Sequence, residues 1–192
     1  TFVQSDSQGR SLRWTQQMDV LIGASATAQS VPLEIRMERA ELKIPAAISK
    51  PEWILPNGGG LAYGNFTLDV STRASVPRYL ADVKEPVARG AAWVTLWEEM
   101  LDRRVQPADF VNLAMRALPR EDTEQNVQLV LSYVRDAFWT FLSHNQRLER
   151  AAKLEEILRT GLDRASSSSM KATYFAAFRS TVTTPEGIAF LE

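Results

Sequence analysis

The chain predicts a small antiparallel β-sandwich over residues 1–70, followed by an α-helical domain over residues 71–192 built from antiparallel hairpins in the HEAT/armadillo manner. Three observations carry this. Apolar residues recur at every second position up to about residue 70, and at helical spacing from about Ser71 onward. Turn-forming residues punctuate the first part at Gly9, in the small-residue stretch Gly23–Ser30 and at Gly58-Gly59-Gly60. Capping and proline patterns divide the second part into helices with short connections, which favours antiparallel neighbours. No self-similarity is strong enough to define a sequence repeat.

Taken in order, Trp14, Met18, Val20 and Ile22 share one face of a strand, with Thr15, Gln17 and Asp19 opposite. Val31, Leu33, Ile35 and Met37 form the apolar face of a second. The phase then flips, so that Ala40, Leu42 and Ile44 become the apolar set. A strand cannot shift by one residue without turning its side chains over, which places a tight turn or bulge near Glu38-Arg39. Trp53–Leu55 reads as a buried strand. It runs through Pro56-Asn57 and the three glycines into an alternating segment ending at Asp69, the pattern of a β-hairpin. Short strands with one apolar face need a second layer, hence the sandwich.

The helical half carries three apolar stripes. They are Trp93, Trp97, Met100 and Leu101; Phe110, Leu113, Ala114, Ala117 and Leu118; and Val127, Leu131, Val134, Phe138, Phe141 and Leu142. Pro107 suits a first helical position, while Asp122-x-x-Gln125 and Ser143-x-x-Gln146 read as capping boxes. Further helices are expected over 144–162 and 169–180, with Ser166–Ser169 as loop and cap. Thr184-Pro185 opens another, with too few residues after it for a C-cap. The domain boundary falls near Asp69–Ser75 without a flexible linker, so a fixed interface is expected.

Composition excludes several function classes. The 192 residues are 45% hydrophobic and 23% charged, with a net charge of −1 that gives no electrostatic case for nucleic acid or an anionic membrane. There is no cysteine, which removes disulfides and thiolate metal sites and is compatible with the cytoplasm, the compartment expected. No apolar run approaches the ~20 residues of a membrane span. Thr1-Phe2-Val3-Gln4 carries no start methionine or signal-peptide pattern, and the chain is expected to be cut at both ends, its helical domain incomplete.

The candidate constellations read as structure. His144, the only histidine, sits at a helix start and reads as a surface or capping residue; no Ser-His-Asp arrangement accompanies it. Gly58-Gly59-Gly60 lacks the GxxxxGK[ST] context of a phosphate cradle and reads as a turn. The paired carboxylates Glu98-Glu99 and Glu155-Glu156 lie near Arg103, Arg104 and Arg159, and read as solvated helix faces. Trp93 and Trp97 read as core or as an interdomain contact. Arg89, Arg116, Arg120, Arg135 and Arg179 are spread over helices that could line one concave face, and read as surface charge with local ion pairs.

The segment Pro51-Glu-Trp-Ile-Leu-Pro-Asn-Gly-Gly-Gly-Leu-Ala-Tyr-Gly-Asn-Phe-Thr-Leu-Asp69 resembles the "W-(I/V)-L-P-N … G-Y-Y-R-V-x-Y-D" segment of the zinc aminopeptidases of the aminopeptidase N family. In that family it closes a small β-sandwich after the catalytic domain. Arg89–Glu98 is similar to the family's helix of the type "R-x-x-x-W-x-x-L-W-(D/E)-M", and Leu118-Pro119-Arg120-Glu121 with Asn126–Leu131 is similar to its "L-P-x-E … L-(V/L)" junction. Tyr63 and Asp69 match the pattern. Ala62 stands where glycine is common, and Gly64-Asn65 replace Tyr-Arg, which places the chain in a divergent branch.

The resemblance implies a non-catalytic C-terminal region that supports and caps the cleft of a parent enzyme, which removes N-terminal residues from peptides. The parent would carry zinc on an HExxH motif; this chain has a single histidine and none of the family's catalytic residues, so no catalytic, cofactor or metal residue is assigned in it. The partners implied are the parent's own catalytic domain and its peptide substrate, with no nucleic acid and no membrane. The resemblance also implies that one of Arg89, Arg116, Arg120, Arg135 and Arg179 could bind a substrate's terminal carboxylate through a bidentate fork, as a helical-domain arginine does in some relatives. The alternative is a non-enzymatic helical scaffold, or a degenerate homologue, that binds a protein partner.

Overall fold

Met18, Val20 and Ile22 alternate with Gln17, Asp19 and Leu21, and in the computed structural model, which describes residues 1–24, 27–48 and 50–192, they form the centre of a three-stranded antiparallel sheet. Its order is β3 (Thr27–Ile35), β2 (Gln16–Ala24), β5 (Trp53–Leu55). The register pairs Met18 with Leu33 and Val20 with Val31, so apolar residues meet across the ladder on one face. Ile35 and Ile48 complete that core, with Phe2, Leu42 and Phe66 packed against it. β2 and β3 pair out to Ala24 and Thr27, so most of the Gly23–Ser30 stretch is strand; residues 25 and 26 lie outside the described residues.

The other edge of β2 pairs with β5. Leu21 pairs with Leu55 and Gly23 with Trp53. A Cβ on Gly23 would fall 2.0 Å from the Trp53 ring, so the indole lies where only glycine leaves room. The free edge of β5 meets α1 (Val70–Tyr79): the Ile54 amide donates to the Thr72 hydroxyl oxygen at 3.0 Å. Asp69 caps this helix, accepting from the Thr72 amide at 3.0 Å and its hydroxyl at 2.6 Å.

That contact explains why the expected hairpin does not form. Residues 61–69 are not a strand, because the edge they would occupy is taken by Thr72. Side chains satisfy their backbone instead. Asn57 bonds both the amide and the carbonyl of Ala62, and Gln16 accepts from the Tyr63 amide at 2.8 Å. Leu61 and Tyr63 are left almost fully exposed. The strand expected around 40–44 shrinks likewise to β4 (Arg39–Ala40), since its partner β1 (Phe2–Val3) offers only two residues of ladder. Trp14 and Met37 fall outside β2 and β3. Their backbones are stitched together by the Gln4 side chain, which donates to both carbonyls.

The helices follow the sequence more closely. α2 (Pro86–Leu101) buries Ala88, Ala92, Trp93, Leu96 and Met100, while Trp97 is half-buried and Leu101 exposed, so the expected stripe is rotated on its helix. α3 (Pro107–Ala117) buries Phe110, Leu113, Ala114 and Ala117 as expected, with Pro107 at its first position. α4 (Glu124–Asp136) starts after Thr123, not Asp122. No side chain caps it; Glu121 accepts the Thr123 amide at 3.1 Å instead. It runs into a π-turn over Ala137–Phe141, closed by the Leu142 amide on the Ala137 carbonyl at 3.0 Å, and the wider turn carries Phe141 out of the buried stripe. α5 (His144–Arg164) has the Ser143/Gln146 capping box in full. α6 (Ser168–Thr181) is capped by Ser167 and α7 (Pro185–Leu191) by Thr184.

The fold is therefore mixed, with two small antiparallel sheets and seven α-helices among the described residues. Its contacts gather into two units, Thr1–Glu99 and Met100–Glu192.

Candidate functional site

One glutamate of each pair departs from the expected solvated face, while Glu156 is exposed and paired with Lys153 at 2.8 Å as such a face would be. Glu99 and Glu155 are each almost wholly buried, and both hold backbone. Glu99 accepts from the Leu68 amide at 3.1 Å and pairs with Arg73, whose guanidinium donates to the Leu68 carbonyl at 2.6 Å. The pair thus grips the backbone of Leu68 from both sides, directly before the Asp69 cap. Glu155 accepts from the amides of Thr183 and Thr184 at 2.8 and 3.0 Å, and from the Thr184 hydroxyl. It fixes the turn between α6 and α7, and a Cβ on Gly187 would fall 2.1 Å from its carboxylate. A signal existed in the sequence. Glu99 lies in phase with Ala92 and Leu96, and Glu155 with Ala151, Leu154 and Leu158, so each apolar stripe passes through its glutamate.

The remaining candidates are dispersed. His144 is exposed at the first position of α5. Gly58 and Gly59 press against Leu21 and Asp19 of β2, and the amides of Gly59 and Gly60 donate to Asp19 and Asn57 carbonyls, so these donors face inward. Arg89 is buried and donates to the Val83 and Lys84 carbonyls at 2.9 and 3.0 Å. Arg116, Arg120, Arg135 and Arg179 are exposed, Arg135 in an ion pair with its neighbour Asp136. The one histidine stands at the surface, and no group of three His, Asp or Glu among the described residues is placed to hold a metal.

A cleft of about 350 Å³ opens within the helical unit. One wall is a stripe of α5, Lys153, Glu156, Ile157, Thr160, Gly161 and Arg164, at the three- and four-residue spacing of one helix face. The 3₁₀ turn after α3 supplies Leu118 and Pro119, and the following loop Glu121 and Asp122. Met170 and Tyr174 come from α6. Gly161 lets α6 approach closely: a Cβ there would sit 2.2 Å from the Tyr174 ring. Burial pushes the Tyr174 phenol pKa up, and the Glu121 charge pushes it further the same way. Sequence reasoning passed over Tyr174 and Arg164, because only the helix pairing brings them to the Glu121 loop.

No family model matches the chain. Among known proteins it is similar to aminopeptidase N of Streptomyces lividans. The two are 24% identical over 175 residues, which is 90% of this chain and 20% of the relative. The chain thus spans about a fifth of the length of a hydrolase that it matches along almost all of its own. None of the helices among the described residues is long and apolar enough to cross a membrane.

Proposed function

We propose that the chain is the non-catalytic C-terminal region of a zinc-dependent aminopeptidase, a β-sandwich domain followed by part of a HEAT-like helical domain that supports and caps the catalytic cleft of the parent enzyme. The similarity to aminopeptidase N across 90% of the chain carries this reading. It agrees with the Trp53-Ile-Leu-Pro-Asn segment, whose Trp53 and Leu55 are core residues of the β unit. The parent would remove N-terminal residues from peptides, with zinc held by residues outside this chain. This chain's own part in that reading is mechanical, which its buried carboxylates support: Glu99 and Glu155 both accept from backbone amides.

The test is zinc content and hydrolysis of amino-acyl arylamides by the full-length parent, with this 192-residue chain as the negative control. One zinc per parent chain with chelator-sensitive hydrolysis, and neither in the control, is the expected result. A parent without zinc and without hydrolysis overturns it in favour of a degenerate homologue or scaffold.

A further inference from the structure

The turn after β5 sets an asparagine directly before a glycine, a chemically labile order, and the fold calls for both residues. Asn57 spends its whole carboxamide on Ala62: Oδ1 accepts from the Ala62 amide at 3.0 Å, and Nδ2 donates to the Ala62 carbonyl at 3.1 Å. Gly58 lies so close to β2 that a Cβ would fall 2.6 Å from the Leu21 Cβ, which leaves room for glycine alone. Having no Cβ, glycine leaves its amide nitrogen open to attack on the side chain before it. The pair is half-buried in a turn that solvent reaches.

We propose that Asn57-Gly58 is a site of spontaneous, one-way deamidation, that the Ala62 clamp protects it while the turn is closed, and that conversion to the acid releases residues 61–66 from the core of the β unit. The Gly58 nitrogen gives its proton to solvent base and bonds to the Asn57 Cγ. The Cγ–Nδ2 bond breaks, and ammonia leaves with a proton from water. Water then opens the succinimide ring at either carbonyl, leaving an aspartate or an isoaspartate at position 57. Water enters, ammonia departs, and nothing is oxidised or reduced. Ring closure removes the nitrogen that donates to Ala62 and draws Cγ onto the backbone of its own turn, so the clamp opens first. Afterwards it cannot close as before. A carboxylate only accepts, so the Ala62 carbonyl loses its donor and faces a charge instead. The turn also gains this charge where Gly59 already lies against the Asp19 carboxylate, a Cβ there falling 3.0 Å from its oxygen. Ala62 and Phe66 pack on the Met18, Val20 and Ile22 core, which the freed segment uncovers. The site lies within the β unit and does not depend on the peptidase reading.

The test incubates the whole chain at mildly alkaline pH, folded and in urea, and follows by mass spectrometry the amide-to-acid conversion of the peptide that contains position 57. Conversion is expected in both, at least about tenfold slower in the folded chain because it waits on opening of the turn. Protection of the Ala62 amide from hydrogen exchange reports the same opening, and is expected to match that ratio within about threefold. Asn57→Asp supplies the product directly, and its chymotryptic cleavage after the exposed Leu61 and Tyr63 is expected to be about tenfold faster than in wild type. Equal conversion rates folded and in urea overturn the proposal, as does no conversion in urea. So does conversion faster than Ala62 exchange allows, or wild-type cleavage of Asn57→Asp.

Discussion

The β unit and the helical unit reach the same end, a satisfied and covered backbone, by different means. In Thr1–Glu99 only β2 and β3 share a long ladder, and the stretches around it are held by single side chains reaching across the chain: Gln4 to Trp14 and Met37, Gln16 to Tyr63, Asn57 to Ala62, Glu99 and Arg73 to Leu68. In Met100–Glu192 the helices satisfy their own backbone, and side chains are needed only at their ends, as at Ser143, Ser167 and the Glu155 turn. Stability in the first unit should therefore concentrate in a few polar groups. In the second it should be spread over apolar stripes.

The sharpest test sets the two buried glutamates against each other. Glu99→Ala leaves the half-buried Arg73 without this counter-charge and the Leu68 amide without its acceptor. A loss of about 3–4 kcal/mol is expected in urea unfolding, the lower part of the range for a broken buried pair because Arg73 keeps some contact with solvent. Glu155→Ala strands two amides and a hydroxyl, but no opposite charge, and should cost about 2–3 kcal/mol. Equal losses at the two sites would mean that the Arg73 charge is relieved by solvent and that the contrast between the units is weaker than drawn.

Gly161→Ala probes the helical unit where it is least forgiving. The new methyl meets the Tyr174 ring, so α6 must shift away from α5, at an expected cost of about 1–3 kcal/mol. Urea unfolding should stay cooperative. A stability cost near zero would show that the ring moves freely, and that the α5–α6 spacing is set elsewhere.

How far the sequence revealed each unit follows from the same contrast. Helical stripes depend on residues within one turn, so Phe110 to Leu118 and the Ser143/Gln146 box were readable directly. They misled where the turn widened, at Phe141, or where an equally spaced face was the buried one, at Trp97 and Leu101. In the β unit the period located β2 and β3. Whether residues 61–69 pair was decided by Thr72, a residue beyond the segment, which takes the open edge of β5. A partner that distant leaves no mark in a two-residue period. The cleft was hidden for the same reason: Glu121, Gly161, Arg164 and Tyr174 are each unremarkable in the sequence and meet only through helix packing.

The smallest expected effect concerns Asp69, where the two patterns join. Burial works against its charge, but the Thr72 hydroxyl and the amides of Thr72, Ser71 and Asp69 itself outweigh this and hold the carboxyl below its ordinary range. The folded state therefore prefers the ionised form more than the unfolded chain does. Its contribution is complete above the unfolded pKa of about 3.9, and fades as pH falls through the lower folded value. Asp69→Ala should cost about 1 kcal/mol at neutral pH, the worth of an N-cap, and the gap to wild type should close on acidification below about pH 4. Thr72→Val removes the hydroxyl that bridges Asp69 to β5, and should reproduce part of that loss. If acid leaves the gap unchanged, the cap acts through the shape of the turn and not through its charge, and the β unit would depend less on its polar side chains than Glu99 implies.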